Sequence, residues 1–193
     1  WPENAPDISH VPKYVSKYKN EKIVIKCGGK VLIEPDLFNK FIEDIAILYK
    51  LGITVIIVHG GGPRIKLELE KLNIESQFIN GLRITNKKTM AVVEKTLIDF
   101  NSEIVEKLEK KECKAQGLNV GQNNIFIVEQ ESKNLGYVGR PKKILNEKIQ
   151  TIIEQKQIPV ISPMGKDDKG EKYNINADTA AAAIAKSLKS RRL

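Results

Sequence analysis

The sequence predicts an α/β fold, an open and mostly parallel sheet sandwiched by helices. Two observations carry this. Two apolar, β-branched runs, Ile23-Val24-Ile25 and Thr54-Val55-Ile56-Ile57-Val58, each end in a glycine turn, Lys26-Cys27-Gly28-Gly29 and His59-Gly60-Gly61-Gly62-Pro63. Each turn then leads into a helical pattern, so that strand, glycine turn and helix repeat, and an alternation of this kind packs as helices over a largely parallel sheet.

The elements follow in order. Residues 1–20 are mixed and polar, with Pro2, Pro6 and Pro12, and a helical pattern at 11–18 bearing Val15 and Tyr18. They read as an N-terminal extension. A helix over 36–50 places Leu37, Phe41, Ile45 and Leu48 on one face and stops at Gly52, a natural left-handed position. After the second glycine turn, Pro63 sits where the first turn of a helix tolerates proline, and Ile65, Leu69 and Leu72 follow at i, i+4, i+7. A longer helix over 89–111 repeats Met90, Val93, Leu97, Ile104 and Leu108. Strands are predicted at 125–128 and 158–162. Between them Leu135-Gly136-Tyr137-Val138-Gly139 reads as a short strand or hairpin between glycine turns. Asp178 opens an alanine-rich helix to about residue 188. The chain begins at Trp1 and ends at Ser190-Arg191-Arg192-Leu193, where another buried strand is expected, so both ends read as cut and the fold as truncated at the C-terminus.

A chain of 193 residues buries about 70% of its unfolded surface and builds one sizeable core, with one or two domains. Its hydrophobic fraction of 41% and its periodic segments fit a soluble globular protein; no apolar stretch approaches the roughly 20 residues of a membrane span, and no signal peptide is visible. The two cysteines, Cys27 and Cys113, form neither a disulfide framework nor a metal quartet, which fits a reducing, cytoplasmic location. Cys27 has two readings, a thiol activated by Lys26 or a small core residue beside a glycine turn, and the second is preferred. The net charge of +8 comes with lysines that alternate with acids along helices, as in 103–112, and without an aromatic-plus-basic RNA motif. It therefore reads as solvated surface rather than a nucleic-acid site, and it attracts a small anionic substrate in either case.

The chemistry-bearing residues are those of the turns. Glycines at a helix N-terminus let the backbone approach an anion, and the unpaired N–H groups and helix dipole favour negative charge there by about 0.3–1 kcal/mol. Lys26 adds a full positive charge at the end of the neighbouring strand. Phosphoryl transfer asks mainly for such positioning and electrostatics, because its transition state spreads charge over several oxygens. The His59-Gly60-Gly61-Gly62 run also resembles the oxyanion loop of lipases, but no G-x-S-x-G elbow is present and only His10 is left as a triad base. Neither the P-loop nor the G-x-G-x-x-G pattern occurs. Arg83, in Gly81-Leu82-Arg83-Ile84-Thr85, reads either as a surface charge or as a fork-shaped donor for a carboxylate. Asp178 reads as the N-cap of the last helix, as the group that holds a lysine ammonium in place, or as both.

From about residue 18 onward the chain resembles the acetylglutamate kinases of the amino acid kinase superfamily. The resemblance is carried by Lys26-Cys27-Gly28-Gly29, the run from His59 to Pro63, Gly81-Leu82-Arg83-Ile84-Thr85, Lys114-Ala115-Gln116-Gly117-Leu118, Leu135-Gly136-Tyr137-Val138-Gly139 and Tyr173-Asn174-Ile175-Asn176-Ala177-Asp178. The first two segments are shared across the superfamily; the G-L-R-x-T and N-x-N-A-D segments point to this branch. The resemblance implies ATP-dependent phosphorylation of the γ-carboxylate of N-acetyl-L-glutamate, in arginine biosynthesis, with Mg²⁺ arriving on ATP and no metal site of the protein's own. It further implies that Lys26 stabilises the transferring phosphoryl group and Asp178 orients the catalytic lysines. Gly61 and Gly62 offer amides to the substrate, Gly28 and Gly29 form a phosphate loop, Arg83 grips the α-carboxylate and Asn174 the other polar groups. Residues 21–173 then form the substrate domain and 174–193 begin the ATP-binding domain, whose remainder, with a second phosphate-contacting lysine, lies beyond Leu193. The fragment by itself is expected to bind substrate weakly and to turn over poorly or not at all. Cys27 departs from the aromatic or leucine common there. Residues 7–19 resemble the N-terminal helix through which arginine-inhibited members assemble into rings, which implies a homo-oligomer, a dimer or a hexamer, with arginine as inhibitor. The alternatives are a sibling kinase acting on aspartate, glutamate, carbamate or a nucleotide monophosphate, and a non-catalytic amino-acid sensor such as the kinase-like domain of acetylglutamate synthases.

Overall fold

The computed structural model describes residues 8–19 and 21–193; Trp1, Pro2 and Pro6, named above, and the first residue of the 7–19 segment lie outside the described residues. The helical pattern of the extension is found as α1 (Val11–Tyr18). β1 (Lys22–Cys27), α2 (Pro35–Lys50), β2 (Thr54–His59) and α3 (Gly62–Lys71) follow as the repeated strand, glycine turn and helix. Then come a hairpin of β3 (Phe78–Ile79) and β4 (Leu82–Arg83), the long α4 (Lys87–Glu109), β5 (Ala115–Leu118) and β6 (Phe126–Gln130). The chain continues through β7 (Gly139–Ile144), α5 (Asn146–Glu154), β8 (Ile158–Ile161), β9 (Met164–Lys166), β10 (Lys172–Asn174) and α6 (Ala177–Ser187).

The main sheet has the order β1-β2-β8-β5, with every pairing parallel. Its two-residue period decides the layers. Val55 and Ile57 of β2 face one side with Phe38, Ile42 and Ile45 of α2 and Phe100, Ile104 and Leu108 of α4. Ile56 and Val58 face the other, with Ala180, Ala181 and Ile184 of α6 and Ile149 and Ile152 of α5. The alanines of α6 leave the helix close to the sheet. Arg191 N–H donates to Lys22 O at 2.9 Å and Val24 N–H to Arg192 O at 3.0 Å, so the C-terminal residues run beside β1.

Three expectations need correction. The buried stripe of α2 is Phe38, Ile42, Ile45 and Ala46, while Leu37 is exposed and Phe41 and Leu48 are only half-buried. Leu72 falls past the end of α3 and is exposed. The Leu135–Gly139 segment is a 3₁₀ turn ending at Leu135, a left-handed Gly136, and the entry to β7. A second sheet, β10-β9-β6-β7, is largely antiparallel and was not expected from the alternation; its β6 and β9 are parallel.

Candidate functional site

A cleft of about 240 Å³ lies at the carboxyl ends of β1 and β2, where ligands of open α/β sheets bind. All eight site residues singled out in the sequence line it: Lys26, Gly28, Gly29, Gly61, Gly62, Arg83, Asn174 and Asp178.

Strand alternation separates the two neighbours at the end of β1. Cys27 is 2% exposed among α2 and α4 side chains, and burial pushes its thiol up to about 11 against the pull of Lys26, so it is a core residue and not an activated nucleophile. Lys26 leaves the opposite face toward α6, where its Nζ stands 3.1 Å from Oδ1 of Asp178. Asp178 is mostly exposed, so this pair holds a geometry rather than stabilising the fold. It is not the N-cap of α6. That role belongs to Asn176, whose side chain accepts from the amides of Asp178 and Thr179 at 2.9 and 3.0 Å. A Cβ on Gly28 would stand 2.7 Å from Lys26 Nζ, so a side chain there would displace the ammonium from its present place.

The second glycine turn forms the N-terminus of α3. Gly61 is its N-cap without any side-chain cap, and a Cβ on Gly61 would stand 2.4 Å from Leu97 Cδ2 of α4. The backbone is thus pressed against the core on one side and open to the cleft on the other. Among the described residues the Gly61 amide has no protein partner.

Arg83 is 7% exposed, which removes the reading as a surface charge. Its guanidinium donates to Ser76 Oγ, donates to the Gly62 carbonyl at 3.3 Å, and lies 4.7 Å from the centre of the Phe78 ring. Burial lowers its pKa, yet an arginine remains charged. The five guanidinium N–H groups exceed these protein partners, so donors remain for a ligand. Asn174 ends β10; its amide N–H donates to Tyr137 O at 2.9 Å, and its side chain lines the cleft with no hydrogen bond among the described residues. The cleft therefore presents Lys26, Arg83 and unpaired α3 amides, with one carboxylate already paired to Lys26. It suits an anion.

Ser76 and Phe78 escaped the sequence reading, although a signal for them exists. Phe78-Ile79 and Leu82-Arg83 are separated by Asn80-Gly81, the two-residue hairpin signature, and both turn residues have positive φ, 50° and 78°. The register sets Phe78 opposite Arg83. His59, which opens the glycine run, is fully buried and is not part of the cleft lining.

Residues 21–193 match the amino acid kinase family. The acetylglutamate kinase of Pelagibacter ubique is 52% identical over 192 residues, which cover all of this chain and 67% of that protein. The acetylglutamate kinase of Caldicellulosiruptor saccharolyticus is 40% identical over 199 residues, covering 99% of this chain and 68% of that protein. The chain thus spans about two thirds of the length of these relatives. Among solved structures, N-acetylglutamate synthase from Neisseria gonorrhoeae, complexed with coenzyme A and N-acetyl-glutamate, superposes with a TM-score of 0.84 over 98% of this chain and 46% of the synthase. At 19% identity that likeness shows the fold alone. Family match, relatives and fold agree, and the chain belongs to the amino acid kinase family, among the acetylglutamate kinases.

Proposed function

We propose that the cleft binds N-acetyl-L-glutamate for ATP-dependent phosphorylation of its γ-carboxylate to N-acetyl-L-glutamyl 5-phosphate, in arginine biosynthesis. A γ-carboxylate oxygen attacks the terminal phosphorus of ATP, the bond from phosphorus to the bridging oxygen breaks, and ADP leaves with the electron pair. Negative charge spreads over the transferring oxygens throughout. The Lys26 ammonium stabilises that charge, Asp178 holds the ammonium in place, and the amides of Gly61 and Gly62 meet the substrate and the developing charge. Gly28 and Gly29 let phosphate approach the backbone. Arg83 grips the α-carboxylate with its remaining donors, and Asn174 holds the other polar groups.

The observation that carries the reading is the placement of Lys26, tied to Asp178, and Arg83, tied to the Gly62 carbonyl, around one set of unpaired helix amides. A non-catalytic sensor has no need of the first pair. The donors fit phosphate oxygens. Among the described residues no cluster of three or more His, Cys, Asp or Glu is placed to hold a metal. Mg²⁺ enters this reading with the nucleotide phosphates, whose charge it neutralises. Residues 21–173 are the substrate domain in this reading and 174–193 the start of the ATP-binding domain. A homo-oligomer, dimeric or hexameric through α1, inhibition by arginine, and a cytoplasmic location complete the proposal. Among the described residues no helix is long and apolar enough to cross a membrane.

Calorimetric titration with N-acetyl-L-glutamate, with glutamate and aspartate as controls, tests the proposal. Selective binding of the acetylated ligand is the expected result. A folded chain that prefers aspartate or glutamate, or binds none of the three, would move the assignment to another kinase of the family or to a sensor.

A further inference from the structure

A fully buried titratable group next to the cleft has no part in the chemistry above. His59 ends β2 at 0% exposure, with its ring edge-on to Phe100 at 5.2 Å. Its Nδ1 is 2.9 Å from the carbonyl oxygen of Gly60, and its Nε2 is 3.1 Å from Nδ2 of Asn101 on α4. Asn101, 1% exposed, also donates from Nδ2 to Val160 O at 2.9 Å and accepts at Oδ1 from Nδ2 of Asn119 at 3.2 Å. The Oδ1 of Asn119 accepts from the amides of Gly121 and Gln122 at 3.0 and 2.8 Å.

Backbone groups of fixed polarity anchor both ends of this chain, and they settle every proton in it. The Gly121 and Gln122 amides can only donate, so the Asn119 oxygen faces them and its NH₂ faces Asn101. Asn101 then accepts at its oxygen and donates at its nitrogen, to the Val160 carbonyl and to His59. Nε2 of His59 must accept, which leaves the proton on Nδ1, where it is donated to the Gly60 carbonyl. Gly117 makes room for the network, since a Cβ there would stand 2.4 Å from Asn101 Oδ1.

The carbonyl of Gly60 and the amide of Gly61 belong to one peptide unit. In a planar trans peptide the N–H points opposite to the C=O. A carbonyl drawn inward by His59 therefore turns the Gly61 N–H outward, to the cleft that Gly61 lines. The preceding unit is fixed too, because Gly60 N–H donates to Cys27 O at 2.7 Å. We propose that His59 is a positioning residue: its Nδ1–H, held in that tautomer by Asn101 and Asn119, locks the Gly60–Gly61 peptide so that the Gly61 amide is aimed at the anion. The inference rests on the proposed phosphoryl-transfer reading only for the identity of the anion. A histidine that only completed the buried network would keep the same tautomer, so the tautomer is a necessary condition and the order of the Gly61 amide separates the two roles.

The test begins on the unmodified chain, whose two histidines make imidazole spectra simple. Long-range ¹H–¹⁵N correlation spectra are expected to show His59 as the Nδ1–H tautomer across about pH 5–8, the range in which an unperturbed imidazole titrates. An Nε2–H tautomer overturns the proposal, and this reading needs no variant to fold. Backbone ¹⁵N relaxation follows on His59→Asn, whose amide can still donate to the Gly60 carbonyl, and on His59→Leu, which cannot. The Gly61 order parameter is expected to stay near about 0.85 in the parent and in His59→Asn, and to fall below about 0.6 in His59→Leu. N-acetyl-L-glutamate affinity should fall at least about fivefold in His59→Leu and be largely kept in His59→Asn. A folded His59→Leu chain with a rigid Gly61 and unchanged affinity would overturn the proposal. If the parent chain binds no N-acetyl-L-glutamate, the substrate reading fails, and the tautomer and the Gly61 order parameter still decide the role of His59.

Discussion

Two helices bring their N-termini to the same cleft and do so differently. At α3 the capping position is Gly61, no side chain satisfies the first amides, and the segment is packed so closely that Leu97 leaves no space for a Cβ. At α6 the cap is Asn176, and its carbonyl oxygen consumes the amides of Asp178 and Thr179. The difference assigns each end its contribution. The α3 end is tightly packed and uncapped and offers N–H groups; the α6 end is capped and more exposed and offers a carboxylate, Asp178, that holds Lys26. An uncapped helix end is an unmet demand for acceptors, and it is satisfied by whatever anion the cleft takes.

The largest expected effect lies where the two ends meet. In the full-length protein, which carries the remainder of the ATP-binding domain, Lys26→Met should lower the rate of acetylglutamate phosphorylation by about 10²–10³-fold, the usual result of removing one donor to developing charge. It should leave N-acetyl-L-glutamate affinity within about threefold, since Arg83 and the α3 amides remain. Single-turnover rates and calorimetry separate the two quantities; a proportionate loss of both would mean that Lys26 serves ground-state binding and that the two ends are not specialised.

Next in size is a pH effect confined to the α3 side. Burial pushes His59 down to about 4, against an ordinary value of 6.5. The unfolded chain takes up this proton first as pH falls, so stability is complete above about pH 6.5 and is lost progressively toward pH 4, by about 3 kcal/mol in all. Urea midpoints across this range should show the slope, and His59→Asn should remove that share of it. Equal slopes in the two chains would mean that His59 accepts its proton in the folded state. Gly61→Ala comes third, at about 1–3 kcal/mol from overpacking against Leu97. A thermal melt should show the destabilisation, and a Gly62→Ala variant, where no atom lies within 4 Å of the added Cβ, should not.

The same contrast explains what could be read from the sequence. The α3 end was legible because glycines after a β-branched strand have few structural purposes, and Pro63 fixed where the helix starts. The α6 end was partly misread. Both Asn176 and Asp178 are good capping residues, and only backbone geometry shows that Asn176 takes the position and leaves Asp178 free to meet Lys26. The face of α2 went astray for a related reason: two adjacent apolar stripes run along it, and the packing of α4 and the main sheet chooses Phe38, Ile42 and Ala46 over Leu37, Phe41 and Leu48. The second sheet was hidden because β9 and β10 are three residues each and carry Lys166, Lys172 and Asn174 among their apolar positions, so neither shows a clean two-residue period. Ser76 supports Arg83 from a loop, where no period exists to point to it.

The smallest effect is the one most specific to the α6 end. Asn176→Ala removes a side-chain cap and should cost about 1 kcal/mol, which for a chain of this size lowers the melting temperature by about 2–4 °C. Asn176→Asp keeps an acceptor for the amides of Asp178 and Thr179 and should melt close to the parent. Because the cap acts within α6 and leaves the α3 amides and Arg83 untouched, N-acetyl-L-glutamate affinity should change by less than about threefold in both variants. Should Asn176→Ala lose binding at an unchanged melting temperature, Asn176 would be contacting ligand rather than capping, and the α6 end would have to be regarded as a second donor surface equivalent to α3.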